Sequence, residues 1–168
     1  AKRRFLHVAG ARDFIERKGT PALIGAFDKV FAGTQNRLVI RTPKSKLIQE
    51  FVETTKDKNL FVLDFHDKAL APLEMWHYYQ RAWNAVIQPS RAEAFGLVPQ
   101  EARSQGIPVI LTVASGHLEH VMGCDVPVSV GKDASIRVNG IPEGSAPAVS
   151  FGAIETALHQ FIDNEFEV

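Results

Sequence analysis

Residues 85–112, AVIQPSRAEAFGLVPQEARSQGIPVILT, contain the repeating unit that decides the fold. Residues 85–87 form a continuous apolar run that reads as a strand. Residues 97–105 have a helical pattern that stops at Gly106, and residues 109–111 are again entirely apolar. Strands that are apolar on both faces and joined by a helix are typical of a parallel sheet covered on both sides.

The same alternation of strand and helix extends over the chain. Thr20-Pro21 and Thr42-Pro43 both match the signal of an N-cap followed by proline at the first helical position. With right-handed crossovers, the pattern predicts one α/β domain over residues 1–168, a Rossmann-like, doubly wound parallel sheet. Residues 131–147 lack a regular pattern. The other predicted strands are 5–9, 38–40, 60–65 and 126–130, and the other predicted helices are 21–31, 47–52, 72–83 and 150–162.

Composition excludes several classes of protein. Lys plus Arg and Asp plus Glu each number 19, so the net charge is zero and nothing favours a nucleic-acid partner. The single cysteine, Cys124, excludes an internal disulfide, and the N-terminus has no apolar signal segment, so we predict a cytoplasmic protein. The chain begins without Met, which favours a start partway through a longer protein.

Unusual residues follow three predicted strands, where ligands bind in open parallel sheets. These segments are residues 10–19, 89–97 and 115–119. In the second, the N–H groups of Gly96 and Leu97 would lie at a helix N-terminus, which suits a phosphate. Carboxylates at Glu93 and Glu101 would disfavour the phosphate itself, but they suit neutral hydroxyls on either side of a diphosphate. A nucleotide sugar has that arrangement of ribose, diphosphate and hexose.

These motifs resemble glycosyltransferase family 4. Glu93 and Glu101 are separated by seven residues with Phe95-Gly96 between them, and Arg12 and Lys18 lie six apart in a stretch that ends in Lys-Gly. The resemblance implies the C-terminal half of a GT-B fold, with the N-terminal acceptor domain absent from this chain. It therefore implies that the chain alone binds a donor but transfers no sugar at a useful rate.

The resemblance also implies a role for each motif residue. Arg12 and Lys18 would bind the diphosphate and stabilise the leaving group, while Glu93 would bind the transferred hexose and Glu101 the ribose. Transfer with retention would rely on charge stabilisation of the departing diphosphate more than on a protein nucleophile, and it would need no cofactor or metal. A role in polysaccharide or glycoconjugate biosynthesis and peripheral membrane association of the full-length protein are compatible with it. The donor site would comprise Gly10, Arg12, Lys18, Glu93, Phe95, Gly96, Leu97 and Glu101.

Two departures from the family pattern leave another function open. Ala94 replaces the usual glycine, and Ser115-Gly116 replaces paired glycines ahead of Glu119. A non-catalytic nucleotide-binding or interaction module with the same fold is the alternative. A dehydrogenase-like domain fits less well, because the first loop has no Gly-x-Gly-x-x-Gly and Arg41 stands where an acidic residue would end the second strand.

Other polar and aromatic residues have simpler interpretations. Four residues lie close enough in sequence to suggest a zinc site. Their spacing matches no standard zinc-finger pattern, however, and there is no second cysteine pair. These are His117, His120, Cys124 and Asp125. We expect Cys124 to be a small buried hydrophobe. Trp76, Tyr79 and Trp83 lie at helical spacing and are interpreted as packing residues.

Overall fold

A computed structural model of the chain describes residues 2–10, 15–68, 70–138 and 141–164. Within these ranges the chain forms eight strands and five α-helices. The strands are β1 (Arg4–Val8), β2 (Arg37–Pro43), β3 (Phe61–His66), β4 (Ala85–Gln88), β5 (Val109–Thr112), β6 (Val126–Val128), β7 (Asp133–Val138) and β8 (Ile141–Pro147). The helices are α1 (Thr20–Phe31), α2 (Lys46–Glu53), α3 (Pro72–Tyr79), α4 (Leu97–Ser104) and α5 (Phe151–Asn164).

Strands β1 to β6 form one parallel sheet in the order β3-β2-β1-β4-β5-β6. This is the order of a Rossmann-type doubly wound sheet, so the predicted fold class is confirmed. The order reverses between β1 and β4, which places the loops after these two strands side by side at the carboxyl edge. Ligands bind at this position in open α/β sheets.

The sheet is buried on both faces by different helices. Successive residues of β2 alternate between the faces, with Leu38 and Ile40 in one apolar cluster and Val39 in the other. The first cluster contains residues of α1, α2 and α5. The second contains residues of α3 and α4. Because β2, β4 and β5 are covered on both faces, they carry the continuous apolar runs seen in the sequence, whereas the edge strand β3 leaves Val62 and Phe65 exposed.

Two predicted N-caps are wrong for different reasons. Thr20 is the first residue of α1 rather than its cap, because its hydroxyl is engaged by His7 Nε2 at 2.8 Å. The second strand continues through Pro43, which is in register with His66 of β3. The helix then begins at Lys46, where Ser45 Oγ accepts the N–H of Ile48 at 3.3 Å.

The region predicted to be irregular contains the antiparallel hairpin of β7 and β8. Arg91, in the loop after β4, holds this hairpin through four main-chain carbonyls. Its guanidinium donates to the carbonyls of Ala134, Ser135, Ala146 and Pro147 at 2.7–3.1 Å.

Three expectations about burial meet different outcomes. Cys124 is exposed, so its interpretation as a buried hydrophobe is wrong. The interpretation of Trp76 as a packing residue is also wrong, because this residue is 44% exposed. Tyr79 and Trp83 are buried as expected.

Candidate functional site

At the carboxyl ends of β1 and β4, side-chain hydrogen bonds replace main-chain pairing between the two strands. Gln88 bonds the main chain of Val8 at both its N–H (3.1 Å) and its C=O (3.2 Å). Fully buried His7 donates from Nδ1 to the Ile87 carbonyl at 2.9 Å and accepts from Thr20 at Nε2. Burial lowers the pKa of His7 to about 4, so the ring is neutral. These contacts hold the ends of β1 and β4 together beyond the last main-chain pair, Leu6 with Val86.

The loop after β1 is fastened to the loop after β4. The Arg91 N–H donates to the Arg17 carbonyl at 2.7 Å, and the Arg17 guanidinium donates to the Ala92 carbonyl at 2.7 Å. Gly19, with φ +70°, lies so close to Pro89 that a Cβ would come within 2.2 Å of its carbonyl oxygen. Only glycine permits both this conformation and this approach.

Glu93 is the electrostatic centre of the two loops. Its carboxylate pairs with Lys18, lies 3.5 Å from Arg17 and accepts from Ser90 Oγ at 2.8 Å. Burial by itself would raise the pKa of Glu93, but the hydrogen bond and charge of Lys18, the Ser90 hydroxyl and the Arg17 charge outweigh it and hold the pKa below its ordinary value. The carboxylate is therefore ionised, and Lys18 is its main partner.

The main chain of Glu93 is held by the loop after β5. The Glu93 N–H donates to Ser115 Oγ at 2.6 Å, and the Glu93 carbonyl accepts from the N–H of Gly116 at 2.9 Å. Ser115 has φ +53°, in the left-handed region that favours glycine. Its hydroxyl bonds to Glu93 offset the conformational cost of the serine that replaces a glycine of the family pattern.

Helix α4 begins directly after Gly96, which has φ +83°. A Cβ on this residue would meet buried His117 at 2.5 Å, so glycine is required by space as well as by conformation. Burial lowers the pKa of His117, against the opposing effect of its bond to the Thr112 carbonyl. The first N–H groups of α4 follow this turn and are free of helical partners, as in any helix.

A cleft of about 330 Å³ opens beside this helix start. It combines one cation, one carboxylate and the first turn of α4, so it can accept an anion together with a hydroxyl-bearing group. Its lining residues are Lys18, Gln88, Glu93, Ala94, Phe95, Gly96, Leu97, Val98 and Pro99.

The structure places most, but not all, of the predicted site residues at this cleft. Lys18, Glu93 and residues 95–97 line it, and Gly10 (φ +74°) lies against the Lys18 side chain. Glu101 lies further along α4, where its carboxylate accepts from the Tyr79 hydroxyl at 3.0 Å. Burial raises the pKa of Tyr79, and the charge and hydrogen bond of Glu101 raise it further. Arg12 lies outside the described residues.

Sequence reasoning missed several residues that hold the cleft together. Arg17 and Ser90 flank Lys18 and Glu93 in sequence, but neither had a distinguishing pattern. His7 lies within a predicted apolar strand, and the only sequence signal of its role is that it is a polar residue at a buried position. The hairpin had a clearer signal, because the dipeptide Asn139-Gly140 between two short runs is typical of a tight turn.

Asp125 and His120, two of the four residues named for a zinc site, have other partners. The carboxylate of Asp125 receives two hydrogen bonds from Arg103, at 2.7 and 2.6 Å, and His120 contacts Arg103 and the Phe95 carbonyl. Across the described ranges, no group of three or more His, Cys, Asp or Glu side chains is placed to hold a metal ion. In the same part of the chain, no helix has the length and apolar character to span a membrane.

Sheet order, crossover point and cleft together define a Rossmann-type α/β domain with a mixed-charge cleft at its switch point. The chain belongs to the glycosyl transferases group 1 family, which matches residues 8–123 and therefore more than half of the sequence. No curated protein matches the chain.

Solved structures share the fold at low sequence identity. The C-terminal domain of LpcC, a glycosyl transferase group 1 family protein from Francisella tularensis, superposes with a TM-score of 0.63 at 19% identity, over 96% of this chain and 75% of that one. WaaG, a glycosyltransferase involved in lipopolysaccharide biosynthesis, gives 0.62 at 17% identity over 96% of this chain. Sucrose-phosphate synthase from Thermosynechococcus elongatus gives 0.62 at 20% over the same share. This chain spans 38% of the WaaG chain and 36% of the synthase chain.

Proposed function

We propose that this chain is the donor-binding part of a retaining glycosyltransferase that takes a hexose from a nucleoside-diphosphate sugar. The observation that carries the proposal is the pairing of Lys18 with Glu93 in a cleft that also contains the start of α4. A cation and a helix N-terminus suit a diphosphate, and the adjacent carboxylate suits sugar hydroxyls. Family membership supports the same reaction class.

Each group has a distinct task in this proposal. Lys18 and the N–H groups of Gly96 and Leu97 bind the diphosphate, assisted by Arg12. Negative charge develops on the departing nucleoside diphosphate, and groups fixed in advance around it lower the barrier. Since these cations supply the charge, the proposed transfer needs no metal. Glu93 binds the hexose hydroxyls.

Glu101 would bind the ribose. Its Oε2 accepts from Tyr79, a phenol that burial and the neighbouring carboxylate keep protonated at neutral pH. A fixed donor on one oxygen orients this carboxylate, which lies in the second turn of α4. Two hydroxyls of a ribose are suited to such an oriented acceptor.

The acceptor would be bound by another domain. The chain spans little more than a third of WaaG and of sucrose-phosphate synthase. Positioning of a second substrate contributes about 7–11 kcal/mol to barriers of this kind, and one face of the cleft is open here. We therefore expect donor binding without useful transfer from the 168-residue chain alone, and transfer when an acceptor-binding domain is supplied.

Calorimetry with UDP-, GDP- and ADP-sugars and the free diphosphates tests the proposal. One series should bind, and Lys18→Met should weaken it by at least tenfold because it removes a charge-assisted contact to phosphate. Lys29→Met is the matched control, since Lys29 pairs with Glu155 between α1 and α5. The absence of binding by every nucleotide would overturn the proposal. Binding without transfer in the completed protein would instead indicate a non-catalytic module.

A further inference from the structure

A chain of polar side chains links α4 and the segment before β6 to the loop that precedes Gly96. Asp125, whose carboxylate is almost fully buried, receives two hydrogen bonds from Arg103. The remaining terminal nitrogen of Arg103 lies 3.2 Å from His120 Nδ1. On its other side, His120 Nε2 lies 2.6 Å from the Phe95 carbonyl oxygen.

These contacts define one tautomer of His120. Arginine only donates hydrogen bonds, so Nδ1 must carry a lone pair. A carbonyl only accepts, so Nε2 must carry the proton. Both contacts are therefore satisfied by the same neutral tautomer, with the proton on Nε2. Asp125 fixes the orientation in which Arg103 donates to Nδ1.

The bond to Phe95 also sets the direction of the next N–H group. The Phe95 carbonyl and the Gly96 N–H belong to one planar trans peptide, so they point in opposite directions. With the carbonyl held by His120, the Gly96 N–H points away from the histidines. The cleft is lined by Phe95 and Gly96 but by neither His117 nor His120, so it lies on the other side of the loop.

We propose that His120, locked as the Nε2–H tautomer by Arg103 and Asp125, is a positioning residue that aims the Gly96 N–H into the donor cleft. The inference rests on the proposed function in one respect, namely that this N–H meets the donor diphosphate. Glycine restricts its own φ less than other residues do, so the bond from His120 to the Phe95 carbonyl contributes to fixing this peptide plane. His120 touches neither sugar nor phosphate in this scheme.

The first test needs no nucleotide. Long-range ¹⁵N–¹H spectra of the histidine side chains of the 168-residue chain at pH 7.5 should show His120 as neutral Nε2–H, and Arg103→Met should move the Nδ1 resonance, because Nδ1 loses its hydrogen-bond donor. A neutral Nδ1–H or doubly protonated ring in the wild-type chain would overturn the proposal.

The second test compares two substitutions of His120. Gln places a donor near the position of Nε2, whereas Leu does not. His120→Leu should weaken the binding of whichever of UDP, GDP and ADP binds tightest by about three- to tenfold. His120→Gln should stay within twofold, a rescue that a purely structural role would not give. Wild-type affinity for His120→Leu would overturn the proposal.

A third measurement separates this proposal from the proposed function. If none of UDP, GDP or ADP binds the wild-type chain, the proposed function fails, and the amide shift of Gly96 decides the positioning role. A shift that moves in His120→Leu and is retained in His120→Gln supports it. A Gly96 amide unchanged in both variants would overturn it.

Discussion

Glu93→Gln should make the chain bind a free nucleoside diphosphate more tightly. In the ligand-free protein Lys18 is paired with Glu93, so a diphosphate must draw Lys18 away and approach a carboxylate. Glu93→Gln removes both the carboxylate that competes with the diphosphate for Lys18 and the repulsion between that carboxylate and the phosphates. The same substitution removes an acceptor for sugar hydroxyls, so the nucleotide sugar should gain less than the free diphosphate does.

The size of the effect follows from the charges and their burial. The side chains of Lys18 and Glu93 are each only 12% exposed, which limits solvent screening. A carboxylate and a phosphate about 6 Å apart repel by roughly 1–3 kcal/mol at effective dielectric constants of about 20–40. We therefore expect about tenfold tighter binding of the diphosphate. The gain should shrink as salt is raised, because part of the field is screened.

Calorimetry at two ionic strengths, with the diphosphate that binds the wild-type chain best, is the assay. Glu155→Gln is the matched control, because it removes the same charge from a pair between α1 and α5. The free variant should also be less stable to urea, since Lys18 loses its partner. Equal or weaker diphosphate binding by Glu93→Gln at low salt would refute the reasoning.

Three further substitutions test other parts of the site. Glu101→Ala should weaken nucleoside diphosphate binding by about 1.5–3 kcal/mol in calorimetry, and unchanged affinity would remove Glu101 from the site. Gly96→Ala should lower the free energy of unfolding in urea by about 1–3 kcal/mol more than Gly33→Ala, because both have positive φ but only Gly96 faces His117; equal losses would contradict this contact. The pKa of His7 is lowered to about 4 in the folded chain, so on acidification His7 is protonated in the unfolded chain before it is in the folded one. The free energy of unfolding should therefore fall from pH 6.5 to pH 4, by about 3 kcal/mol in total. Urea titrations across that range should show a shallower fall for His7→Gln, and parallel curves would contradict the assignment.

The sheet could be predicted because both of its faces are buried. Residues 85–87 and 109–111 are apolar without interruption, and this pattern reflects helices on either side rather than any local preference of the backbone. The β7–β8 hairpin has mostly exposed residues, so burial left no comparable pattern there. Its attachment by Arg91 depends on main-chain carbonyls, which are the same for every residue type.

The candidate site was predictable where residue type alone sets the chemistry. Glu93 could be named from its place beside a helix start and Lys18 from the family resemblance, and the structure brings them together. The prediction that Thr20 is a cap is wrong because its competing partner, His7, lies on β1, at a distance in the sequence. The roles of Arg103 and His120 depend on the tautomer that their neighbours impose, and such selection arises only once the chain is folded.

The attachment of the hairpin through Arg91 gives the domain a built-in reporter. In the described residues β7 and β8 pair with each other and form a sheet separate from the main one, so their amides can exchange with solvent in an opening event that leaves the six parallel strands closed. The free energy of that event depends on the guanidinium of Arg91, which lies two residues before Glu93 in the same loop. Amide exchange in the hairpin therefore records rearrangements of the cleft loop at a distance from it, without a label placed in the cleft itself.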